Sequence, residues 1–466
     1  MKRINFCLLL LVLLTRFVDA APGAAPNFVF ILVDDQSWSG TSVPMVPGKG
    51  LSRSPNFRAP NLERLAAQGV TFSQAYAAHC KCECSRAAIQ MGRTTTSLNA
   101  PDRSSRNWSA PVTDSLVNTL KRASPNYRAA HLGKWQWSHT PASMGYDLSD
   151  GITMNEDGDS RDPNDPKQSF GITRRAQAFM DRQVKEGHPF YLQLSYYAVH
   201  TEAQALASTL KKYEGLSGGG AGKDAKKNGK GGKGGGRGDR AVMAAMTEDL
   251  DTCVGTVLKK IEELGIASST HVIYMSDNGG RTEVLKGGKG NLFEGGLRVP
   301  LVVRGPGIPG GVYSNEPVVG YDLLATVLDF AAPGFALPKG VEGGSWKPVL
   351  QGGGAGNVRR PIDRFVFHQA VEVDHPQSAI RKGDFKVLYY WDTKETQLFN
   401  LARDLSEEHD LAKEKPGLAA QLKQEVKDHV RAGLGEAAFA ALESGKVISQ
   451  PPAKDGKGKG KKKSLP

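Results

Sequence analysis

The chain of 466 residues is long enough for one large α/β domain with a smaller domain beside it. Its formal net charge of +12 comes almost entirely from two Gly- and Lys-rich segments. Residues 211–240 carry nine Lys or Arg against three acids, and residues 451–466 carry six Lys against one Asp. Nothing else in the sequence supports nucleic-acid binding, so we expect no such partner. Both segments have too few apolar residues to fold, which predicts a disordered insertion at 211–240 and a disordered basic tail at 441–466.

The first twenty residues have the features of an export signal. Lys2 and Arg3 form a basic start, residues 6–14 are apolar, and residues 18–20 offer a cleavage site with small side chains. The apolar run is too short to span a membrane, and no later segment qualifies. We therefore expect an exported protein, periplasmic or secreted, that lacks a membrane span.

Candidate strands and helices then alternate along the chain. Residues 26–33 are predicted to form a strand buried on both faces, because residues 28–33 are continuously apolar, and Asp34 and Asp35 follow them. Residues 60–69 have helical apolar spacing and end in Gly. Two further strands and one further helix are predicted at residues 190–194, 271–275 and 242–264. This alternation predicts an α/β fold with a mainly parallel sheet, in which functional groups collect at the carboxyl ends of the strands.

The pattern changes after about residue 352. Residues 379–390 and 396–401 indicate short antiparallel strands, and residues 417–430 indicate a helix. We therefore predict a large catalytic domain over residues 21–352 and a small α+β subdomain with an antiparallel sheet over residues 353–440.

Two acidic clusters follow predicted strands. Asp34 and Asp35 end the first strand, and Asp277 and Asn278 follow the strand predicted at residues 271–275. Carboxylate and amide oxygens form a set that suits a hard divalent cation, and Ca²⁺ fits best because it accepts several such ligands in loose geometry. The alternative is that each acidic pair is a loop or helix-cap feature.

The cysteines do not suggest a disulfide framework. Cys7 belongs to the export signal, and three of the other four, Cys80, Cys82 and Cys84, lie within five positions. A C-x-C-x-C metal cluster is an alternative, but no matching group of His or Cys partners is present. Cys82 precedes a helix predicted to start near Ser85, and a helix N-terminus would activate a thiolate there. A cysteine hydrolase is therefore a second alternative.

Several motifs resemble those of the formylglycine-dependent (type I) sulfatases. Residues 82–93 read C-E-C-S-R followed by G-R, similar to the family signature C-x-P-S-R or C-x-A-S-R. Residues 131–137 contain G-K-W, similar to the family's G-K-W-H, and residues 287–300 resemble its G-G-K-G…E-G-G-x-R-V-P segment. Residues 381–386 and 398–401 are similar to R-K-G-x-x-K and L-Y-D-L. The resemblance runs from about residue 26 to about residue 411.

The resemblance implies an alkaline-phosphatase-like fold and a specific nucleophile. In this family a maturation enzyme oxidises the cysteine at the position of Cys82 to formylglycine (3-oxoalanine), and the hydrated aldehyde attacks the sulfur of a sulfate ester. The family's Ca²⁺ ligands correspond to a set made of both acidic clusters and the modified residue: Asp34, Asp35, Asp277, Asn278 and Cys82.

The resemblance also assigns roles to basic residues. Arg86 and Lys134 would stabilise the aldehyde hydrate and the developing oxyanion charge, and Lys134, His200 and Lys289 would contact sulfate. Lys289 or His200 would protonate the leaving alcohol. Glu294 and Arg298 would fix the loop that carries Lys289.

Two residues depart from the family pattern. Cys84 stands where the family has Pro or Ala, two residues after the nucleophile, at a position that the maturation enzyme reads. Gln136 replaces the histidine of G-K-W-H, which is thought to help release sulfate and restore the aldehyde. Glutamine cannot take up a proton at neutral pH, so we expect slow sulfate release unless His139 substitutes for it.

Three functions remain compatible with these features. The first is hydrolysis of sulfate esters, with carbohydrate sulfates as the expected substrates because exported members commonly act on polysaccharides. The second is binding of sulfated glycans with little or no turnover, because Cys84 and Gln136 depart from the pattern. The third is hydrolysis of phosphate or phosphonate esters, since related folds process these esters at similar metal sites.

Overall fold

The structure is a computed structural model that describes residues 25–98, 110–216, 239–280, 284–370 and 373–445. The predicted export signal at residues 1–20 lies outside these ranges, as does most of the predicted insertion and of the basic tail. The ends of the predicted insertion are ordered, because residues 211–213 form a 3₁₀ turn and a long helix begins at Asp239. The described ranges contain no helix long and apolar enough to cross a membrane.

The described strands fall into a large sheet, a two-stranded sheet and a smaller four-stranded sheet. They are β1 (Asn27–Val33), β2 (Val70–Phe72), β3 (Ala75–Tyr76), β4 (Arg128–Gly133), β5 (Leu148–Ser149), β6 (Phe190–Ser195), β7 (Thr270–Ser276), β8 (Leu301–Arg304), β9 (Val312–Ser314), β10 (Val318–Val319), β11 (Phe365–Gln369), β12 (Gln377–Lys382), β13 (Phe385–Tyr390) and β14 (Thr396–Asn400). The predicted strands at 26–33, 190–194 and 271–275 correspond to β1, β6 and β7.

The described helices cover both faces of the large sheet and one face of the small one. They are α1 (Pro60–Ala67), α2 (Cys82–Met91), α3 (Leu116–Ala123), α4 (Ser169–Glu186), α5 (Ala207–Leu210), α6 (Asp239–Glu263), α7 (Glu294–Leu297), α8 (Leu323–Ala331), α9 (Lys347–Gln351), α10 (Pro416–Leu434) and α11 (Glu436–Glu443). The helices predicted at 60–69, 242–264 and 417–430 correspond to α1, α6 and α10.

The large sheet has the strand order β5-β4-β6-β1-β7-β8-β2-β9. Strands β5, β4, β6, β1 and β7 are parallel neighbours, whereas β8 is antiparallel to both β7 and β2. The prediction of an α/β fold with a mainly parallel sheet is therefore confirmed. The sheet is buried on both faces, which explains why β1 and β7 read as continuous apolar runs.

Alternate residues of β1 enter two different cores. Phe30 packs into a core shared with α2, α3 and α8, whereas Ile31 packs into a core shared with α1, α4 and α6. Each large side chain buried in this way contributes about 1.5–3 kcal/mol of transfer free energy. The central strand is therefore held from both sides, and the loops at its carboxyl end start from fixed positions.

The four-stranded sheet β11-β12-β13-β14 is an antiparallel meander that packs on both of its faces. Phe367 and Leu388 on one face join the core of the large sheet, whereas Ile380 and Val387 on the other face pack against α10 and α11. The predicted antiparallel C-terminal sheet is confirmed. Its boundary at residues 352 and 353 stays a prediction.

Candidate active site

The two acidic clusters meet because β1 and β7 are adjacent and parallel. Val33 pairs with Ser276, so the residues that follow both strands emerge at the same edge of the sheet. The backbone N–H of Asp35 donates to Oδ1 of Asp277 (3.2 Å), and Nδ2 of Asn278 donates to Oδ1 of Asp35 (2.8 Å). Asp35 reaches this position with a left-handed backbone (φ 60°).

Three basic side chains from separate segments contact these carboxylates. Nε of Arg86 donates to Oδ2 of Asp277 (2.8 Å), and Nζ of Lys134 donates to Oδ2 of Asp34 (2.6 Å). Nζ of Lys289 lies 2.6 Å from Oδ1 of Asp35. Arg86 and Lys134 are also joined directly, since Nη1 of Arg86 donates to the carbonyl of Lys134 (2.7 Å). The positive charges offset the large cost of placing two buried carboxylates, those of Asp34 and Asp277, beside the partly buried Asp35.

The carboxylates respond differently to this environment. Burial alone would raise the pKa of Asp34, but the charges of Lys134 and Arg86 hold that pKa well below its usual value. Burial and the negative charge of Asp34 raise the pKa of Asp277 to about 6, against the opposing effect of Arg86. For Lys289, burial acts to lower the pKa, yet the neighbouring Cys82 and Asp35 raise it, so this side chain carries a proton at neutral pH.

Some oxygens of the cluster have no hydrogen-bond partner among the described residues. Oδ1 of Asp34 and Oδ1 of Asn278 are buried and make no hydrogen bond within the described residues. One ligand atom each from Asp34, Cys82 and Asp277 lies within 4.8 Å of the others. Unsatisfied buried oxygens are costly, and a cation would satisfy them. The donor set is therefore of the kind that Ca²⁺ accepts.

Cys82 is the first residue of α2, which corrects the expected helix start near Ser85. The N–H of Ser85 donates to the carbonyl of Lys81 (3.0 Å), so Ser85 already closes the first turn of the helix. The N-cap residue is Lys81, whose backbone and not its side chain makes the capping contact. The partial positive charge of the helix N-terminus thus acts at Cys82 itself.

The neighbouring cysteines are buried thiols. Burial raises the pKa of Cys80 to about 12 and the pKa of Cys84 further still. Neither belongs to the metal-competent group found among the described residues, which contains Cys82. The alternative of a C-x-C-x-C metal cluster therefore gains no support. Cys84 is 7% exposed and occupies its position as a small apolar side chain.

Gln136 is turned away from hydrogen-bond contact with the carboxylates. It has a left-handed backbone (φ 58°), its N–H donates to the carbonyl of Thr153 (2.8 Å), and its Nε2 donates to Oδ1 of Asn155 (3.3 Å). Its Oε1 is buried without a hydrogen-bond partner. His139 packs edge-on against Trp137, with 5.1 Å between the ring centroids.

His200 lies at the rim of the acidic cluster. The sequence around it, residues 196–201, predicts that His200 closes a strand, and this is wrong, because β6 ends at Ser195 and the chain continues as a loop beside Asp34. Nε2 of His200 lies 3.8 Å from Oδ2 of Asp35. Burial lowers the pKa of His200 despite the nearby carboxylates of Asp34 and Asp35, so the neutral imidazole prevails at pH 7.

The loop that carries Lys289 is fixed by a buried ionic network. Nε of Arg298 and the hydroxyl of Tyr76 both donate to Oε2 of Glu294 (2.8 and 2.7 Å). Nζ of Lys386 on β13 lies 3.0 Å from Oε1 of Glu294 and 2.9 Å from Oε1 of Glu407. The loop is thereby tied to the C-terminal sheet.

The structure brings most of the predicted site residues together. Eight of them meet at the carboxyl edge of the large sheet: Asp34, Asp35, Cys82, Arg86, Lys134, Asp277, Asn278 and Lys289. His200 lies at the rim, and Gln136 bonds to Asn155 instead. No sequence pattern indicated Glu407 or Tyr76, and Lys386 was visible only as part of the R-K-G-x-x-K match. Their partners are distant in sequence, so no local pattern marks them.

The chain has an alkaline-phosphatase-like fold, with a mainly parallel central sheet and a separate antiparallel sheet. The sequence profile of the family described as "Sulfatase" matches residues 26–333, and that of "N-sulphoglucosamine sulphohydrolase, C-terminal" matches residues 288–432. The chain belongs to the sulfatase family and is a sulfuric ester hydrolase.

Curated relatives and solved structures agree with this assignment. A "Sulfatase" of Formosa agariphila is 26% identical over 84% of this chain and 85% of its own length. The N-acetylgalactosamine-6-sulfatase of Canis lupus familiaris is 27% identical over 82% of this chain and 75% of its own length. The structure of Ps i-CgsB in complex with k-i-k-neocarrahexaose is 24% identical, has a TM-score of 0.71, and covers 92% of this chain and 98% of its own. The structure of BT4656 in complex with its substrate D-glucosamine-2-N,6-O-disulfate is 19% identical and has a TM-score of 0.72. It covers 88% of this chain and 99% of its own.

The ionic network predicts how stability will depend on pH when Lys386 is replaced. Burial raises the pKa of Glu407 to about 7, whereas Lys386 and Arg298 oppose the effect of burial on Glu294 and hold its pKa at about 2. Lys386→Met removes the shared cation, so at least one carboxyl group will bind its proton more tightly in the folded than in the unfolded state. The free energy of unfolding then falls as pH rises from about 4.5, the ordinary pKa of a glutamate, to the raised pKa of that carboxyl group.

Between about pH 5 and pH 8, we expect the unfolding midpoint of Lys386→Met to fall with rising pH more steeply than that of the wild type. At neutral pH we expect the free energy of unfolding to be lower than that of the wild type by about 3–5 kcal/mol. Chemical unfolding at several pH values measures both quantities. Lys382→Met is the matched control, because Lys382 is a more exposed lysine that pairs with Glu425. Equal pH slopes for wild type and Lys386→Met would contradict the prediction.

Proposed function

We propose that this protein hydrolyses sulfate esters of carbohydrates, with a formylglycine derived from Cys82 as the nucleophile and Ca²⁺ bound beside it. The observation that carries the proposal is the group formed by Cys82, Asp34 and Asp277, whose ligand atoms lie within 4.8 Å of one another at the N-terminus of α2. The relatives act, by their names, on N-acetylgalactosamine 6-sulfate and on ulvan, which supports a sulfated carbohydrate as substrate.

Asp34, Asp35, Asp277 and Asn278 would hold the calcium ion. The two buried oxygens without hydrogen-bond partners, Oδ1 of Asp34 and Oδ1 of Asn278, support this assignment. When bound, Ca²⁺ would neutralise sulfate charge and polarise its S–O bonds, while the hydrated aldehyde at residue 82 would supply the nucleophilic oxygen.

The basic residues would supply binding and proton transfer. Arg86 is held by Asp277 and by the carbonyl of Lys134, so its guanidinium is fixed beside residue 82 and would stabilise negative charge there. Lys289 is protonated and partly exposed, which suits it to contact sulfate and to donate a proton to the leaving alcohol. His200, neutral at pH 7, would contact sulfate from the rim.

The proposal includes the route by which the enzyme matures. Residues 1–20 would direct export to the periplasm or outside the cell, and a formylglycine-generating enzyme would act on the chain before it folds, reading Cys84 in place of Pro or Ala. Cys84 is small and buried, so the C-x-C-S-R sequence is compatible with the folded site. Residues 21–352 would form the catalytic domain and residues 353–440 the C-terminal subdomain.

The state of residue 82 is the first test. In protein made in its native host, the peptide containing residue 82 is expected to have the mass of an aldehyde or its hydrate, and sulfate release is expected to disappear in Cys82→Ala. Cys253→Ala is the control, because Cys253 is a buried thiol in α6 and should be dispensable for activity. An intact cysteine at residue 82 together with no sulfate release would favour the glycan-binding alternative.

Calcium binding is tested by stability. Addition of Ca²⁺ to chelator-treated protein is expected to stabilise the fold by roughly 2.7 kcal/mol at a free concentration 100-fold above the Kd, which raises the unfolding temperature by several degrees. Asp34→Asn is expected to abolish this increase, whereas Asp329→Asn, on the surface of α8, should preserve it. An identical response of the two variants would argue against calcium at this site.

The replacement of histidine by Gln136 predicts a slow step after the alcohol has left. Gln136 offers no proton acceptor, so alcohol is expected to appear in a rapid first turnover followed by slower steady-state turnover. Gln136→His is expected to raise kcat by about tenfold or more with little change in KM. His139→Ala tests whether His139 substitutes, and we expect it to have little effect. An unchanged kcat in Gln136→His would show that Gln136 does not limit turnover.

A further inference from the structure

Glu407 holds both ends of the loop that carries Lys289. It lies in the segment after β14, is fully buried, and has a left-handed backbone (φ 56°). Its carbonyl accepts a hydrogen bond from Nζ of Lys286 (3.0 Å), at the start of the loop. Its Oε2 accepts a hydrogen bond from the backbone N–H of Glu294 (2.6 Å), at the end of the loop.

The loop between these two contacts touches the rest of the active site. Its base is closed by a hydrogen bond from the N–H of Gly295 to the carbonyl of Lys286 (2.9 Å). The N–H of Lys289 donates to the carbonyl of Gly280 (3.3 Å), close behind the acidic cluster, and the N–H of the next residue, Gly290, donates to the carbonyl of Cys80 (2.9 Å), two residues before the nucleophile position. A displacement of the loop base would therefore move the ammonium of Lys289 relative to residue 82.

Glu407 is itself fixed from the C-terminal sheet. Nζ of Lys386 on β13 lies 2.9 Å from its Oε1, and the same ammonium pairs with Glu294. The ammonium of Lys286 also lies over the ring of Phe293, with 4.4 Å to the ring centroid, which holds it near the carbonyl of Glu407. The base of the loop is thus positioned in part by two groups of the C-terminal subdomain, Glu407 and Lys386.

We infer that Glu407 is a positioning residue for Lys289, which makes the C-terminal subdomain a contributor to proton donation in addition to stability. The inference rests on the proposed function, in which Lys289 protonates the leaving alcohol. Proton donation matters most when the leaving group is a poor one, such as a sugar hydroxyl, and least when it is a nitrophenolate. A positioning defect should therefore discriminate between leaving groups, whereas a general loss of structure should not.

The test compares two esters in variants of the full chain. Glu407→Ala is expected to lower kcat for a sugar sulfate by about 100-fold and for nitrophenyl sulfate by less than about tenfold, the same pattern as Lys289→Ala. Lys286→Met removes the hydrogen bond to the carbonyl of Glu407 and the contacts of the ammonium with the rings of Phe293 and Phe399, keeps the carboxylate of Glu407, and is expected to show the same selectivity with smaller losses. Since Lys286 is exposed, this variant serves if Glu407→Ala does not fold.

Asp251→Ala is the matched control for loss of a buried carboxylate. Asp251 is 4% exposed and accepts hydrogen bonds from the backbone N–H groups of Asn61 and Leu62 (3.0 and 2.8 Å) at the start of α1. Its removal is expected to lower stability and to leave the ratio of the two rates unchanged. Equal losses for both esters in Glu407→Ala and in Lys286→Met would overturn the inference.

Hydrogen exchange provides a readout that is independent of turnover. Amide exchange of peptides within residues 284–296 is expected to rise in Glu407→Ala and in Lys286→Met and to stay unchanged in Asp251→Ala. Unchanged exchange in both loop variants would overturn the inference. If the wild type releases no sulfate from either ester, the proposed function fails on that result alone, and the exchange data still decide whether Glu407 holds the loop.

Discussion

Burial of several carboxylates at one edge of the large sheet is the constraint on which the active site depends. The parallel pairing of β1 with β7 brings Asp34, Asp35 and Asp277 within contact of one another, and two of the three are fully buried. Carboxylates in such a position must be paired or must bind a cation. Arg86 and Lys134 satisfy part of this requirement, and within the described residues two buried oxygens, Oδ1 of Asp34 and Oδ1 of Asn278, still lack a hydrogen bond that a divalent cation would replace.

The positive groups come from segments far apart in the chain, so the site requires the whole fold. Arg86 is on α2, Lys134 follows β4, and Lys289 lies in the loop before α7. Two of these segments are anchored away from the site. Helix α2 packs in the core on one face of the sheet, and the Lys289 loop is held on the C-terminal sheet through Glu407. Charge compensation at the site and packing of the two sheets are therefore parts of one arrangement.

The two departures from the family pattern have different physical consequences. Cys84 is a buried thiol whose pKa is raised by burial, so in the function that we propose it would matter for maturation before folding and not for chemistry in the folded site. Gln136 has a left-handed backbone and a buried amide that bonds to Asn155, so in the proposed mechanism it would remove a proton acceptor without altering the local backbone.

The sequence by itself determined the fold class and the acidic clusters, because buried parallel strands are apolar runs and acidic pairs directly after them lie at the same edge. The basic residues of the site were indicated by the resemblance of their motifs to those of the sulfatases. Local patterns misplaced the start of α2 and put His200 at the end of a strand, since backbone bonds at Lys81 and beside Asp34 decide those boundaries.

Only the tertiary structure decided how the charges are paired. Glu407 is 113 residues from the Glu294 amide that it binds, and Lys386 joins both carboxylates across the contact between the two sheets. No periodicity or motif records such a contact, because its energy depends on burial and on atoms brought together by packing. The sequence determined which chemical groups are present, and the packing of the C-terminal sheet decided which of them hold the catalytic loop.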